Sequence, residues 1–427
     1  MTGRSPAPLS NAWVVAVGSE LLTGDKQDSH SGTVARALGA VGVETAARVV
    51  VGDDVAQIAA LVTTALANAD LAVVTGGLGP TDDDLTREGV AQALGLRLAE
   101  DPAVVAWLER LFAARGRAMP EVNRRQAAVP EGADVLPNAV GTAPGLWIEV
   151  GDRAVLVLPG PTVEMYPMLE QAVADRIEPR SPGAPVRRRV VVFAGRGESE
   201  VEETIRPLYA GWTGAGILLQ ITTLAADGEV ELHLSARGRD GRSADAALER
   251  AVAEVCTVAG RDVVSGDGRR LAEIVGGLLA ERKWRIAVAE SCTGGGLAAR
   301  LTDVPGSSAY VDGGVVTYSD ALKTRWLGVP ATVLARHGAV SEPVAIAMAE
   351  GVRASAGVDV GVGITGIAGP GGGSETKPVG MVVIAIAGPD GMRRVVTRRF
   401  GGPRSRVRRL AVNWALDLVR RELLERR

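Results

Sequence analysis

The feature that most constrains the fold of this chain is a repeated alternation of short β-branched runs with polar segments of helical spacing. In the first part of the chain the strand-like runs are residues 12–18, 44–52 and 70–77, and the helix-like segments are 33–40 and 55–69. Parallel strands buried on both faces read as continuous apolar runs, and crossover helices supply the polar spacing between them. We therefore predict a three-layer α/β domain at residues 11–182.

A Pro- and Arg-rich stretch at residues 178–189 interrupts this alternation and marks the first domain boundary. Strand-like runs with helices at 199–208 and 244–259 predict a small α+β module at residues 185–265. We assign it no chemistry and interpret three of its polar and glycine positions as turns and surface: Gly195, Glu198 and Glu231.

A third unit, α/β in pattern, is predicted at residues 268–427. It begins with an amphipathic helix at 271–281 and ends with one at 404–424. The apolar positions of the last helix recur at helical spacing, which is typical of core packing. A chain of 427 residues is too long for one ordinary core, in agreement with three domains.

The composition excludes several classes of protein. Lys and Arg total 47 against 50 Asp and Glu, so no overall positive charge favours nucleic acid or an anionic membrane. The two cysteines, Cys256 and Cys292, lie far apart in sequence, which argues against a disulfide scaffold. No apolar run is long enough to span a bilayer, and residues 1–10 do not resemble a signal peptide. We expect a cytoplasmic protein with no membrane partner.

The run RIAVAESCTGGGLAARL, residues 285–301, is a strand followed by Ser, Cys, Thr and three glycines, and then by a helix. Such a turn can hold the Ser291 hydroxyl at the end of a strand, with Thr293, Gly294 and Gly295 beside a bound group and glycine amides directed at a developing oxyanion. The alternative is that these residues only cap the helix.

A serine nucleophile needs a base. Of three histidines only His337 lies in this third of the chain, in a predicted helix-to-strand loop of exposed residues. Tyr318 and Lys323 follow a strand-like run, and a desolvated Lys, or a Tyr beside it, can accept the proton.

A second glycine-rich loop follows the strand that we predict to end at Thr365. Its glycines allow a ligand to approach the backbone closely. Thr365, Gly366 and Lys377 are candidates for holding a phosphate or an amide, although a mobile surface loop has the same composition.

Five segments in this third resemble, in order and spacing, the nicotinamide-nucleotide amidohydrolase domain of the CinA (competence/damage-inducible) family. They are AESCTGG, GGVVTYSDALK, HGAVSEPVAIAMAEGV, GITGIAGPGGG with KPVG, and FGGPRSRVRRLAV. The resemblance implies that Ser291 is the nucleophile, that Tyr318 and Lys323 assist it, and that nicotinamide mononucleotide is deamidated to nicotinic acid mononucleotide and ammonia without a metal. Arg404 and the loop around Thr365 are candidates for the substrate's 5'-phosphate, although Pro403 replaces the acidic residue usual before that Arg.

In the N-terminal domain, the segment DLAVVTGGLGPTDDDLTREGV is a strand, a glycine turn, three Asp residues and a helix. Glycine amides suit a phosphate, and Asp82, Asp83 and Asp84 offer oxygen ligands for a divalent metal such as Mg2+. Asp residues at a helix start also serve as caps, so both interpretations remain open.

This domain resembles the molybdopterin-binding-like domain that opens CinA proteins, from about residue 14 to 168. The motifs are GSELLTGD, NAVGTAPG and LPGPTVEM, together with Asn123 and Gln126. The resemblance implies metal-dependent hydrolysis of ADP-ribose to AMP and ribose 5-phosphate, with Glu20 and Asp25 near the site. The implied metal ligands are Asp83, Asp84 and Glu164, and the implied substrate contacts are Gly76, Gly77, Gly79 and Asn123. His30 stands where the family often has Asn.

The sequence thus predicts a bifunctional pyridine-nucleotide salvage hydrolase whose partners are small nucleotides, and by family expectation a homodimer. Two alternatives stay open. In one, the N-terminal domain only binds a ligand and regulates its neighbour. In the other, the protein is a competence or DNA-repair partner, although near-neutral charge and few aromatics argue against direct nucleic-acid contact.

Overall fold

The computed structural model describes residues 7–183, 185–212, 218–226, 228–238 and 241–426. They divide into two compact units, one formed mainly by residues 7–187 and the other mainly by the remainder of the chain. No helix among the described residues is long and apolar enough to cross a membrane.

The first unit is built on a six-stranded sheet. The strands of the whole unit, including two that lie outside this sheet, are β1 (Asn11–Val17), β2 (Glu44–Val51), β3 (Leu71–Thr75), β4 (Leu98–Glu100), β5 (Ala128–Pro130), β6 (Asp134–Leu136), β7 (Gly145–Val150) and β8 (Arg153–Leu158). Its α-helices are α1 (Ser19–Thr23), α2 (His30–Ala40), α3 (Val55–Asn68), α4 (Thr86–Leu94), α5 (Pro102–Ala114) and α6 (Thr162–Ala172).

The strand order of this sheet is β2-β1-β3-β8-β7-β6, and β4 pairs with β5 separately. The first four strands are parallel, and β7 runs antiparallel to both its neighbours. Alternate residues of β1 enter two different cores: Val15 and Val17 one, Ala12 and Val14 the other. Because both faces are covered, the prediction of a three-layer α/β arrangement is confirmed.

The middle of the chain forms a four-stranded sheet of order β10-β11-β9-β12. Its elements are β9 (Val186–Phe193), α7 (Glu198–Ile205), β10 (Leu218–Ala226), β11 (Glu229–Arg237), α8 (Gly241–Ala259) and β12 (Val263–Ser265). The prediction that Glu231 lies on the surface is wrong. It lies within β11, is buried, and pairs with Arg270 and with His233.

The last part of the chain contains a five-stranded sheet of order β14-β13-β15-β16-β17. Its strands are β13 (Ile286–Glu290), β14 (Val311–Val316), β15 (Val360–Gly366), β16 (Met381–Ala387) and β17 (Arg393–Arg399). Its helices are α9 (Leu271–Arg282), α10 (Gly296–Thr302), α11 (Asp320–Leu327), α12 (Ala331–His337), α13 (Glu342–Ala356) and α14 (Arg404–Glu425).

In this sheet β13 is parallel to both β14 and β15, so the carboxyl ends of three adjacent strands share one edge. Ile286 and Val288 enter the core beneath α9 and α14, whereas Ala287 and Ala289 pack in a second core with residues of α13. The expectation that His337 occupies a helix-to-strand loop is wrong, because His337 ends α12 and the next element is α13.

Candidate active sites

Ser291 lies directly after β13, between two neighbouring parallel strands. Its amide donates to the carbonyl of Ile364 at 2.9 Å, and the amide of Thr317 donates to the carbonyl of Glu290 at 2.8 Å. These bonds hold the backbone on both sides of the strand end. Ser291 is 8% exposed, and among the described residues no partner is seen for its hydroxyl.

The turn after Ser291 is fixed by the fully buried carboxylate of Glu290. It accepts hydrogen bonds from the amides of Gly295 and Leu297 at 3.1 Å and from the amide of Ala298 at 2.9 Å. A carboxylate at these amides compensates the unpaired donors and the positive dipole end of a helix. Glu290 therefore holds the turn in place and makes no hydrogen bond to the Ser291 hydroxyl.

The donors for an oxyanion differ from those that the sequence suggests. The amide of Gly295 is taken by Glu290, and that of Gly294 donates to the carbonyl of Ser291 at 3.2 Å. The expectation that these two amides face an oxyanion is wrong for this reason. Within the described part of the chain, the amides of Cys292 and Thr293 have no backbone or side-chain acceptor from another residue, so they are the donors left available.

The neighbouring thiol is unsuited to act as the nucleophile. Cys292 is buried, and this burial raises the pKa of its thiol to about 12. Since the thiolate is the reactive form, a thiol with this pKa is almost fully protonated at neutral pH. Burial thus disfavours Cys292 and leaves the Ser291 hydroxyl as the candidate nucleophile of this turn.

Lys323 is a buried lysine near this edge of the sheet. It lies on α11, is 1% exposed, and its amine is 3.3 Å from the carbonyl of Tyr318 and 3.5 Å from the carboxylate of Asp320. Tyr318 follows β14, which pairs with β13 so that Val316 lies opposite Glu290. The sheet thus brings Ser291, Tyr318 and Lys323 to one edge, as their positions after adjacent strands indicate.

The Tyr318 hydroxyl has a different partner. Tyr318 is 60% exposed, and its hydroxyl accepts a 2.9 Å hydrogen bond from Arg404. Arg404 also donates to the carbonyl of Gly369 at 2.9 Å. Arg404 therefore joins the start of α14 to Tyr318 and to the second glycine-rich loop. Lys323 contacts the backbone carbonyl of Tyr318 rather than its hydroxyl.

The remaining candidates on this loop are held by local contacts. The buried hydroxyl of Thr365 donates to the carbonyl of Ala339 at 2.9 Å, and Lys377 donates to the carbonyl of His337 at 2.6 Å. Gly366 is required by packing, because a Cβ there would lie 2.8 Å from the carbonyl oxygen of Met381. The Lys377 amine therefore already has a backbone acceptor, whereas the Thr365 hydroxyl can still accept a hydrogen bond.

In the first unit a cavity of about 570 Å3 lies at the carboxyl ends of β1 and β3. Ligands of open parallel sheets bind at this edge. The predicted Gly76, Gly77, Asp83 and Asp84 line the cavity, as do Glu20 and His30, whose ring is 3.1 Å from Thr162. Gly76 has a positive φ, and a side chain there would collide with the carbonyl of Val17.

The two aspartates at this cavity differ. Asp84 accepts hydrogen bonds from the amides of Gly79 and Thr81 and from the Thr81 hydroxyl, so it fixes its own loop. Asp83 is exposed, and hydrogen bonds within its own loop lower the pKa of its carboxyl. Asp82 pairs with Arg125 at 2.7 Å. Asp83 is the one of the three free to meet a ligand.

Four other predicted N-terminal residues do not line this cavity, and one of them is Gly79, whose amide donates to Asp84. The carboxylate of Glu164 accepts a 2.6 Å hydrogen bond from Asn138, so the predicted metal set of Asp83, Asp84 and Glu164 does not form. Asn123 is buried against Gln126, and the Asp25 carboxylate accepts from Thr23. Among the described residues no three His, Cys, Asp or Glu side chains cluster as a metal site.

Comparison with known proteins decides the family. Residues 268–423 match the CinA C-terminal domain, residues 188–264 the damage-inducible protein CinA KH domain, and residues 13–179 the probable molybdopterin binding domain. A CinA-like protein of Koribacter versatilis is 45% identical over 417 residues, covering 97% of this chain and 100% of that protein. The chain belongs to the CinA family.

A second relative of similar length agrees with this membership. A CinA-like protein of Frankia casuarinae is 44% identical and covers 96% of each chain. The solved CinA protein of Thermoplasma acidophilum is 34% identical, covering 39% of this chain and 98% of its own, with a TM-score of 0.37. A competence/damage inducible protein of Agrobacterium tumefaciens is 40% identical, covering 35% of this chain and 90% of its own, with a TM-score of 0.34.

Sequence reasoning missed two residues that shape the C-terminal site of this CinA-family chain. Glu290 precedes Ser291 and caps the turn, and Arg408 of α14 donates to the carbonyl of Thr293 at 2.7 and 3.2 Å. The position of Glu290, an acidic residue at the end of an apolar strand and directly before a glycine turn, is a sequence pattern that could have indicated its role. Arg408 is 115 residues from its partner, so no local pattern reveals it.

Proposed function

We propose that the C-terminal domain deamidates nicotinamide mononucleotide, and that Ser291 is the nucleophile. The observation that carries the proposal is the strand end at Ser291: a hydroxyl without a partner among the described residues, followed by two amides without acceptors, at the same sheet edge as buried Lys323. A nucleophile, a base and oxyanion donors are the parts that acyl transfer requires.

The proposed reaction begins with attack of Ser291 Oγ on the carboxamide carbon, while Lys323 accepts the hydroxyl proton. The amides of Cys292 and Thr293 donate to the oxyanion, a contribution that is about 2.7–4 kcal/mol for one donor in a comparable site. Lys323 then returns the proton to the departing nitrogen, and ammonia leaves. Water hydrolyses the acyl-enzyme to nicotinic acid mononucleotide and regenerates Ser291.

The arrangement of Arg404 and Tyr318 supports a polar, anionic substrate. Arg404 uses two of its nitrogens on Gly369 and Tyr318, and its guanidinium remains exposed. An exposed guanidinium held by two partners suits the phosphate of a mononucleotide, because the fork is already oriented. We assign Arg404, Tyr318 and the Thr365 loop to substrate binding.

The test is product formation by the full-length chain. Purified protein is incubated with nicotinamide mononucleotide and a metal chelator, and ammonia and nicotinic acid mononucleotide are measured together. Equimolar release of both is expected, because one amide bond is hydrolysed per turnover. Release of free nicotinamide, or of no product, would reject the proposal.

A second activity is proposed for the N-terminal unit, supported by the cavity at the strand ends and its glycine turn. This is the hydrolysis of ADP-ribose to AMP and ribose 5-phosphate. Mg2+ commonly binds through one or two carboxylates together with substrate phosphates, so exposed Asp83 beside the cavity fits it although Glu164 does not. When bound, the metal would neutralise charge on the pyrophosphate. Binding of ADP-ribose without turnover would instead favour a ligand-binding module.

A further inference from the structure

The C-terminal domain contains a cavity of about 440 Å3 between α10 and α14, next to the turn that follows Ser291. Its polar lining consists of Thr293, Arg300, Ser405, Arg408, Arg409 and Asn413. The cavity therefore adjoins the proposed catalytic turn and shares Thr293 with it, but does not include Ser291, Tyr318 or Arg404.

The hydroxyl of Thr293 points to a ligand in this cavity. Thr293 is 1% exposed, lines the cavity, and its Oγ1 has no hydrogen-bond partner in the described structure. A buried hydroxyl is normally satisfied, because leaving it unpaired forfeits the hydrogen bonds that it makes with water. Thr293 therefore holds an unused hydrogen-bond donor beside the cavity.

The charges of the cavity specify the kind of acceptor. Every charged residue in its described lining is an arginine. Arg408 donates to the neutral carbonyl of Thr293, and Arg409 makes no ion pair within the described residues. Arg300 is only partly compensated, at 3.5 Å from the buried carboxylate of Glu229. The excess positive charge favours an anion.

We propose that this cavity binds a phosphate monoester group, held by Arg300, Arg408 and Arg409 and by the hydroxyls of Thr293 and Ser405. Guanidinium groups bind the oxygens of a phosphate dianion by paired, charge-assisted hydrogen bonds. Because Arg408 also holds the carbonyl of Thr293, occupancy of the cavity fixes the turn that carries the proposed oxyanion donors. The phosphate belongs to a separate phosphorylated effector, because the 5'-phosphate of the substrate is assigned to Arg404, which does not line this cavity.

The first experiment measures binding of inorganic phosphate to the full-length protein by calorimetry and does not depend on catalysis. Arg409→Gln is expected to weaken phosphate binding at least about tenfold, and Arg336→Gln, an exposed arginine on α12, is expected to leave it unchanged. Thr293→Val preserves the shape of the side chain and is expected to weaken binding without lowering the unfolding midpoint. Phosphate binding equal to wild type in both Arg409→Gln and Thr293→Val overturns the proposal.

The second experiment tests the source of the phosphate and rests on the proposed amidohydrolase function. Because an effector supplies it, added phosphate is expected to change kcat at saturating substrate in the wild type and not in Arg409→Gln. If Arg409→Gln instead raises the KM for nicotinamide mononucleotide but not for nicotinamide riboside, which lacks the phosphate, the substrate supplies it and the effector assignment is overturned. An inactive wild type would reject the amidohydrolase function alone, and the calorimetry would still decide the site.

Discussion

The backbone amide of Ser291 donates a 2.9 Å hydrogen bond to the carbonyl of Ile364, so the proposed nucleophile is anchored to the strand beside its own. Since β13 also pairs with β14 on its other side, the position of Ser291 is set by three strands rather than by its loop. Sites built on strand ends hold reacting groups more precisely than sites built on loops. The residues around this anchor give the following predictions.

Replacing Glu290 with Gln is expected to loosen the catalytic turn. The carboxylate accepts three amide hydrogen bonds, whereas the NH2 group of Gln would oppose at least one of them. We expect a loss of unfolding free energy of about 1–3 kcal/mol and a lower kcat. Chemical denaturation and initial rates measure both quantities.

Glu273→Gln is the matched control for Glu290→Gln. Glu273, in the first turn of α9, likewise accepts from a backbone amide at a helix start, but it is exposed and accepts a single such hydrogen bond, from Arg270. Replacing Glu273 should lower the unfolding free energy by less than replacing Glu290 does, and it should leave kcat unchanged. Equal losses in the two variants would contradict the role of Glu290 in the turn.

Replacing Lys323 with Met removes the proposed base while keeping an unbranched side chain of similar length in a site that is 1% exposed. We expect kcat to fall by about 10^2–10^4, the range for loss of a general base. Lys323→Arg should not restore it, because a guanidinium stays protonated in proteins. Steady-state kinetics with a thermal-unfolding check on each variant test this prediction, and an active Lys323→Met variant that folds normally would refute it.

Arg404→Gln and Tyr318→Phe should each raise the KM for nicotinamide mononucleotide, because each breaks the 2.9 Å hydrogen bond between the two side chains. The double variant should be hardly worse than either single variant, since residues in direct contact have non-additive effects. A double-mutant cycle on kcat/KM measures the coupling. Strictly additive losses would show that the two residues act separately.

The two acidic residues of the N-terminal unit should behave differently. Asp83 is exposed at the cavity, and its lowered pKa keeps the carboxylate charged to more acidic pH than an ordinary Asp. Asp83→Asn should therefore lower Mg2+-dependent hydrolysis of ADP-ribose more than tenfold, an amount equal to about 1.4 kcal/mol.

Glu164→Gln should retain most of this activity and mainly lower stability, because the Glu164 carboxylate is bonded to Asn138. Product analysis by chromatography at matched Mg2+ concentration compares the two variants. Loss of activity in Glu164→Gln with full activity in Asp83→Asn would reverse the assignment.

The sequence predicts the parts of this molecule that depend on local pattern. Strand and helix periodicity places Ser291, Tyr318 and Lys323 after adjacent strands, and the glycine turn at Gly76 and Gly77 lies at the cavity as its position after β3 indicates. These successes follow from the rule that carboxyl ends of parallel strands share one edge.

The errors arise where a distant partner decides the outcome. Glu164 is bound by Asn138, 26 residues away, and Glu231 is buried by its pairing with Arg270. The amide of Gly295 is taken by a carboxylate whose direction the sequence does not reveal. Such contacts depend on tertiary packing, and a single sequence carries no signal for them.

The measurement that tests the central claim most directly is the comparison of wild type, Ser291→Ala and Cys292→Ala, each mixed with nicotinamide mononucleotide in the presence of a metal chelator and quenched for intact-protein mass analysis. We predict ammonia release and a transient acyl adduct on the intact protein in wild type, both retained in Cys292→Ala, whose parent thiol has a pKa raised to about 12 by burial. Both should be absent in Ser291→Ala. Undiminished ammonia release by a folded Ser291→Ala variant would contradict the account.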